Sequence, residues 1–155
     1  YPSATTLSNG NVLIAYSDRV NLDAYGNLGY GTFVIYDSSG NKVLGEQVFN
    51  AQETYYTSAT TLSNGNVLIA YAHDQYDHSD TYINNGAFVI YDNNGNQVSS
   101  EHIFNSSRLN DTSATTLSNG NVLITYETGS SSRVGTFVIY DSNGDQVVGP
   151  TIYNP

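Results

Sequence analysis

One string dominates the chain: SATTLSNGNVLI occurs three times without a change, starting at Ser3, Ser58 and Ser113, so both spacings are 55 residues. A fixed period of this length means that one supersecondary unit has been repeated, and any fold must accommodate three equivalent units. A second block follows each copy: GTFVIYDSSGNKV from Gly31, GAFVIYDNNGNQV from Gly86 and GTFVIYDSNGDQV from Gly135. The two blocks start 28 residues apart in the first two units and 22 apart in the third, which marks the segment between them as a surface loop. The units fall at about residues 3–57, 58–112 and 113–155 of a single repeat domain covering 1–155.

Each unit reads as four antiparallel strands. SATTL and NVLIAY flank an Asn-Gly turn, the strongest short hairpin signal, in which both central residues can take positive φ. TFVIYD and a strand such as KVLGEQVF flank a second turn, where Asp37, Asp92 and Asp141 can cap turn amides and Gly40, Gly95 and Gly144 supply a left-handed residue. Nothing shows the 3.6-residue period of an amphipathic helix. The expected class is all-β, with about twelve strands in three tandem four-stranded meanders.

The middle strands are apolar on both faces. Val12, Ile14 and Tyr16 alternate with Leu13 and Ala15, and Phe33 and Ile35 alternate with Val34 and Tyr36, so these strands need cover on both sides. Sheets stacked as β-propeller blades provide it, with Val12, Ile14, Phe33 and Ile35 and their counterparts packed between sheets. A β-trefoil is the competing arrangement of three four-stranded units. The fourth strand is more polar, with Glu46, Glu101 and then Pro150 at one repeat position, as an outer edge strand tolerates.

The Leu-x-Asn-Gly-Asn hairpin, the Val-Leu-Ile-Ala-Tyr and Phe-Val-Ile-Tyr-Asp strands, the Gly-Asn turn and the closing Glu-x-x-Phe-Asn together resemble the blade repeat of extracellular bacterial β-propeller proteins. The resemblance covers Ser3 to Asn154 and implies a secreted or cell-surface setting, but no activity, since propellers host many functions. The chain has no tryptophan, so neither a Trp-Asp blade signature nor the aromatic end of a sialidase Asp-box is present. Propellers close with roughly four to eight blades. Three would leave two apolar sheet faces open, which predicts a homo-oligomer, six blades from two chains being simplest, or membership of a longer repeat array. The start at Tyr1 rather than Met fits a processed product or an excerpt.

Composition narrows the partners. Fourteen acidic residues against four basic ones give a net charge of −10, and Arg19, Lys42, Arg108 and Arg133 are too scattered to form a basic stripe for nucleic acid or an anionic membrane surface. No apolar run approaches the roughly 20 residues of a membrane helix, so no membrane insertion is expected. Without cysteine there are no disulfides and no thiolate chemistry. No Gly-x-Ser-x-Gly elbow occurs, and His73, His78 and His102 do not recur between units, so the chain reads as non-catalytic. Asn105 and Asn110 lie in Asn-x-Ser/Thr sequons, which matter in a host that glycosylates.

Variation is confined to one end of each meander. The first-to-second and third-to-fourth turns are nearly invariant, whereas the segments 17–30, 72–85 and 127–134 differ, as do the unit-to-unit links AQETYYT and SSRLNDT. A constant frame with one diversified end suits a binding face, with drift in unconstrained loops as the alternative. Tyr25, Tyr30, Tyr55, Tyr56, Tyr76 and Tyr82 fall in these segments, where exposed rings would stack on a sugar or a protein surface. His73, Asp74, Asp77, His78 and Asp80 form the densest polar cluster. Its oxygen ligands suit calcium, on Asp74, Asp77 and Asp80, and its histidines suit zinc, beside the alternative of a solvated acidic loop; no cofactor is required. The expected function is an extracellular, non-catalytic binding or adhesion module for a glycan or a surface protein, with ligand contacts at Tyr25, Tyr30, Tyr55, Tyr56, His73, Tyr76, His78 and Tyr82. A structural unit that self-assembles into a ring or array is the alternative.

Overall fold

The computed structural model describes residues 2–18, 29–76, 82–129 and 132–154, with residues 75, 76, 82 and 83 described by their backbone alone. The chain is all-β. Its strands are β1 (Ser3–Thr6), β2 (Val12–Asp18), β3 (Tyr30–Tyr36), β4 (Lys42–Thr61), β5 (Val67–Tyr76), β6 (Tyr82–Tyr91), β7 (His102–Asn105), β8 (Leu109–Thr116), β9 (Val122–Thr128), β10 (Val134–Tyr140) and β11 (Gln146–Asn154). All ladders are antiparallel and follow chain order. β1, β2, β3 and the first part of β4 form one meander. The second part of β4 continues with β5, β6 and β7, and β8 to β11 form the last.

The first strand of each unit pairs with the second strand alone among the described residues, which sets aside the trefoil, whose first and fourth strands build a barrel. Two apolar layers separate the three sheets. Leu13, Ala15, Phe33 and Ile35 of the first sheet meet Val67, Ile69, Tyr71 and Val89 of the second. Leu68, Ala70, Phe88 and Ile90, on the other side of that second sheet, meet Val122, Ile124, Tyr126 and Val138 of the third. The middle sheet is therefore buried on both faces, as its two-sided apolar strands require.

Four features depart from the sequence reading. Val12 and Ile14 lie on the outer side of the first sheet and are only half-buried, while their counterparts Val67, Ile69, Val122 and Ile124 are enclosed. The link AQETYYT is no loop: it continues β4 from the first sheet into the second, bending at a bulge between Tyr55 and Ser58. Tyr56 sits at that bend with φ of 51°, the left-handed region that a bulky residue enters at a cost and only when its surroundings hold it there. Most of the 72–85 segment is likewise strand, since β5 and β6 stay paired out to Tyr76 opposite Tyr82.

The Asn-Gly turns also close differently. Leu7 N–H donates to Asn11 O at 2.7 Å and Gly10 N–H to Leu7 O at 2.9 Å, leaving a three-residue loop in which only Gly10, at φ +85°, is left-handed. Asp37 caps the third-to-fourth turn as expected, its Oδ1 accepting from the amides of Ser39 and Asn41 at 2.9 and 2.8 Å. Asp92 and Asp141 repeat this pattern. Asn9 and Asn64 donate across to the carbonyls of Asn93 and Ser142, so both sets of constant turns gather at one end of the sheets.

Candidate functional site

At the opposite, variable end, β5 carries His73 and Asp74 in succession. Alternation along a strand sends them to opposite faces of the second sheet. Both belong to buried clusters rather than to a solvated loop: His73 is 3% exposed and Asp74 6%.

On the side toward the first sheet, the Tyr71 hydroxyl donates to Glu101 Oε1 at 2.6 Å. His73 Nε2 lies 3.5 Å from the same oxygen, too long for a hydrogen bond, and the rings of Tyr71 and His73 are 5.8 Å apart. Neither imidazole nitrogen has a hydrogen-bond partner among the described residues. Burial, reinforced by Glu101, pushes the Tyr71 phenol well above its ordinary range, so this hydroxyl stays a donor at any physiological pH. Asn50 Nδ2 donates to Thr54 Oγ1 at 2.8 Å and fixes β4 beside this cluster.

On the side toward the third sheet, the Tyr55 hydroxyl donates to Asp74 Oδ2 at 3.3 Å. Asp74 Oδ1 is buried and receives no N–H or O–H from the described residues, although Glu53 hydrogen-bonds this carboxyl once a proton is shared between the two. Burial pushes the Asp74 carboxyl up to about 6, and the neighbouring Glu53 carboxylate pushes the same way. The Tyr55 phenol is raised in turn, by burial first and then by Glu53 and Asp74. Glu53, Tyr55 and Asp74 thus form one acidic, hydrogen-bonding group in which a buried carboxylate oxygen still has capacity to accept. A buried acceptor left in that state is costly unless a donor reaches it, which makes it a candidate contact for a ligand hydroxyl.

Of the tyrosines expected to stand exposed, Tyr30, Tyr55 and Tyr56 are half-buried in strands. Tyr30 is half-buried in β3, opposite Glu53. Tyr55 and Tyr56, with ring centroids 6.2 Å apart, pack against the layer between the second and third sheets. Tyr76 and Tyr82 face each other across the β5–β6 ladder, a placement of backbone only. Tyr25, Asp77, His78 and Asp80 lie outside the described residues. Of the three carboxylates named for calcium, Asp74 is the one described, and it is engaged with Tyr55 and Glu53. No group of three or more potential metal-ligating side chains comes together among the described residues.

Glu53 and Glu101 escaped the sequence reading. For Glu101 a signal existed: Glu46 and Glu101 occupy one repeat position, as do Tyr16 and Tyr71, and Tyr16 bonds Glu46 as Tyr71 bonds Glu101. In the third unit Pro150 replaces the glutamate. A separate shallow pocket of about 110 Å³ opens on the third sheet, lined by Asp111, Ser113, Thr125, Glu127 and Tyr153, with Thr112 and Tyr126 at its floor. Arg133 Nη1 donates to Glu127 Oε2 at its edge, 3.1 Å away.

No protein-family model and no curated protein matches the chain. Its fold is similar to that of solved structures at low identity. A protein of unknown function from Dyadobacter fermentans superposes with a TM-score of 0.69 at 13% identity, over 98% of this chain and 53% of that one. A fucose lectin from Kordia zhangzhouensis, solved with methyl-fucoside, gives 0.54 at 12% identity over the whole of both chains. An α-L-arabinofuranosidase from Clostridium thermocellum gives 0.60 at 13%, over 99% of this chain and 50% of that one. The chain thus spans about half the length of two of these proteins and the full length of the lectin. No helix among the described residues is long and apolar enough to cross a membrane. The fold is an all-β one of curled antiparallel sheets, shared with propeller-like and lectin proteins.

Proposed function

We propose that the chain is a non-catalytic, secreted or cell-surface module that binds glycan at the variable end of its second sheet. The observation that carries this reading is Asp74: a carboxylate with one oxygen held by Tyr55 and the other buried without a donor. A sugar presents hydroxyl donors at the spacing of a carboxylate, and the neighbouring tyrosine rings supply the flat apolar surface that a pyranose face covers. The likeness to a fucose lectin and to an arabinofuranosidase supports glycan as the ligand class, as a likeness of fold. The acidic surface, at net charge −10, favours a neutral sugar over an acidic one.

Asp74 beside Glu53 also has the makings of an acid–base pair, one carboxyl being held near neutrality. Against catalysis stand the lack of a Gly-x-Ser-x-Gly elbow and histidines that do not recur between units. Both readings meet in one experiment. The chain and its Asp74→Asn and Tyr55→Phe variants are probed on a printed glycan array and titrated calorimetrically with methyl-fucoside and with the array's best ligands. Binding that falls about tenfold or more in the Asp74→Asn variant, with the ligands recovered intact, is the expected result. Equal binding by the variants, or release of new reducing ends from the bound glycans, overturns it.

A further inference from the structure

We infer that the two outermost sheet faces are the two halves of one interface, and that a second copy of this chain docks head to tail on them. The proposal is independent of the glycan reading, because it rests on contacts that both internal junctions share.

Those contacts recur at one repeat spacing. Ser3 Oγ accepts from the Ala59 amide and Ser58 Oγ from the Ala114 amide, both at 2.9 Å. The Ser8 hydroxyl donates to Gly65 O at 3.2 Å, and that of Ser63 to Gly120 O at 3.1 Å. The Thr61 hydroxyl donates to Thr6 O at 2.6 Å, and that of Thr116 to Thr61 O at 2.7 Å. In each case an invariant residue of one unit meets an invariant residue of the next. The third unit ends this series with Ser113, Ser118 and the Thr116 carbonyl in the same roles, and the first unit begins it with the Ala4 amide, the Gly10 carbonyl and the Thr6 hydroxyl.

The rings make the match three-dimensional. Tyr71 of the second unit packs on Phe49 of the first, ring centroids 5.0 Å apart, and Tyr126 of the third packs on Phe104 of the second at 5.3 Å. Repeat equivalence makes Tyr153 the third member of the Phe49, Phe104 series and Tyr16 the free member of the Tyr71, Tyr126 series. Tyr153 is 56% exposed, whereas Phe104 is 7% exposed. The 110 Å³ pocket is lined by Tyr153, where repeat equivalence calls for the ring that Tyr71 and Tyr126 supply at the inner junctions. It is an unfilled socket, and the half-buried Tyr16 on the outer side of the first sheet is its knob.

The rest of each face is apolar and half-covered. Leu123, Phe137 and Ile139 on the third sheet correspond to Leu13, Phe33 and Ile35, which are buried at the first junction. Ile14 and Tyr36 on the first sheet correspond to Ile69 and Tyr91, also buried there. A face that is half of a working junction and meets the other half on an identical molecule has its partner specified. Two copies of these three units make six, within the roughly four to eight at which such rings close.

The test uses the 155-residue chain and its natural lack of cysteine. Light scattering should return twice the 16.8 kDa chain mass. The Tyr16→Ala variant, altered on the outer face only, should keep the parent's circular dichroism while dissociating at about tenfold lower dilution or less. Single-cysteine variants Ala4→Cys and Ser113→Cys should each give no covalent dimer alone and a disulfide-linked pair when mixed, since a head-to-tail junction brings Ala4 of one copy to Ser113 of the other. A parent that stays at 16.8 kDa up to millimolar concentration overturns the proposal, as does a monomer whose socket takes a sugar. So do cross-links within a single variant, which mean a face-to-itself dimer, and open arrays that grow with concentration.

Discussion

Substituting Gly86 by Ala tests how the sheets are stacked. A Cβ built on Gly86 falls 2.4 Å from Phe104 Cε2, 2.7 Å from its Cζ and 2.6 Å from Leu109 Cδ1. Real Cβ atoms do not approach that closely, so the ring or the backbone must move. Phe104 is 7% exposed and wedged against Tyr126, so the ring has nowhere to go without opening the layer between the second and third sheets. Overpacking of this kind costs about 1–3 kcal/mol. For a chain of this size that lowers the melting temperature by roughly 2–12 °C, at about 2–4 °C per kcal/mol. Trimming the ring should reduce the loss. In a Phe104→Leu background the ring atoms nearest the new methyl are gone while Leu109 Cδ1 remains, so Gly86→Ala should cost clearly less than in the parent, the residual loss coming from Leu109. Urea melts of the four proteins give the coupling directly. An equal loss from Gly86→Ala in both backgrounds would show that the Phe104 ring does not lie over Gly86 as described.

Two further outcomes concern charge. Asp74 is held near 6 against an ordinary 3.8, so between those values the folded chain keeps a proton that the unfolded chain has released; stability should fall as pH rises from about 4 to 6, by about 1–2 kcal/mol after solvent screening. Melts of the parent and of Asp74→Asn across that range check this, the variant losing the slope. Asp92 behaves oppositely: slight burial works against ionisation, but bonds from the Asn96 side chain and amide and from the Asn94 amide outweigh it and hold the carboxyl below its ordinary value. Its contribution is present above about pH 4 and lost as pH falls further, so Asp92→Ala should cost about 1 kcal/mol at pH 7 and progressively less in acid, as chemical denaturation at the two pH values will show.

The meander order, the capped Asp turns and the two-sided burial of the middle sheet were legible because each follows from a local pattern repeated three times. What the repeat hides is position. Val12, Val67 and Val122 stand in identical strings, yet Val12 is half-buried and the other two are enclosed, because only their neighbours in space differ. AQETYYT has a loop's composition, and its strand conformation comes from pairing with β3 on one side of the bend and β5 on the other. The Asn-Gly signal is compatible with two loop lengths, and the flanking Leu and Asn close the longer one. At the site, Asp74 is tied to Tyr55 and Glu53, residues 19 and 21 positions away that only the β4–β5 pairing brings alongside.

The glycan reading is tested most directly by mapping backbone amide shifts while methyl-fucoside, or the best array ligand, is titrated into the chain. Perturbations concentrated at Glu53, Tyr55, Tyr56, Ala72, His73 and Asp74, with the constant turns around Gly10, Gly65 and Gly120 unmoved, are the predicted result. Saturable perturbations confined to the constant turns or to the Tyr153 socket, with the Asp74 region silent, would contradict it.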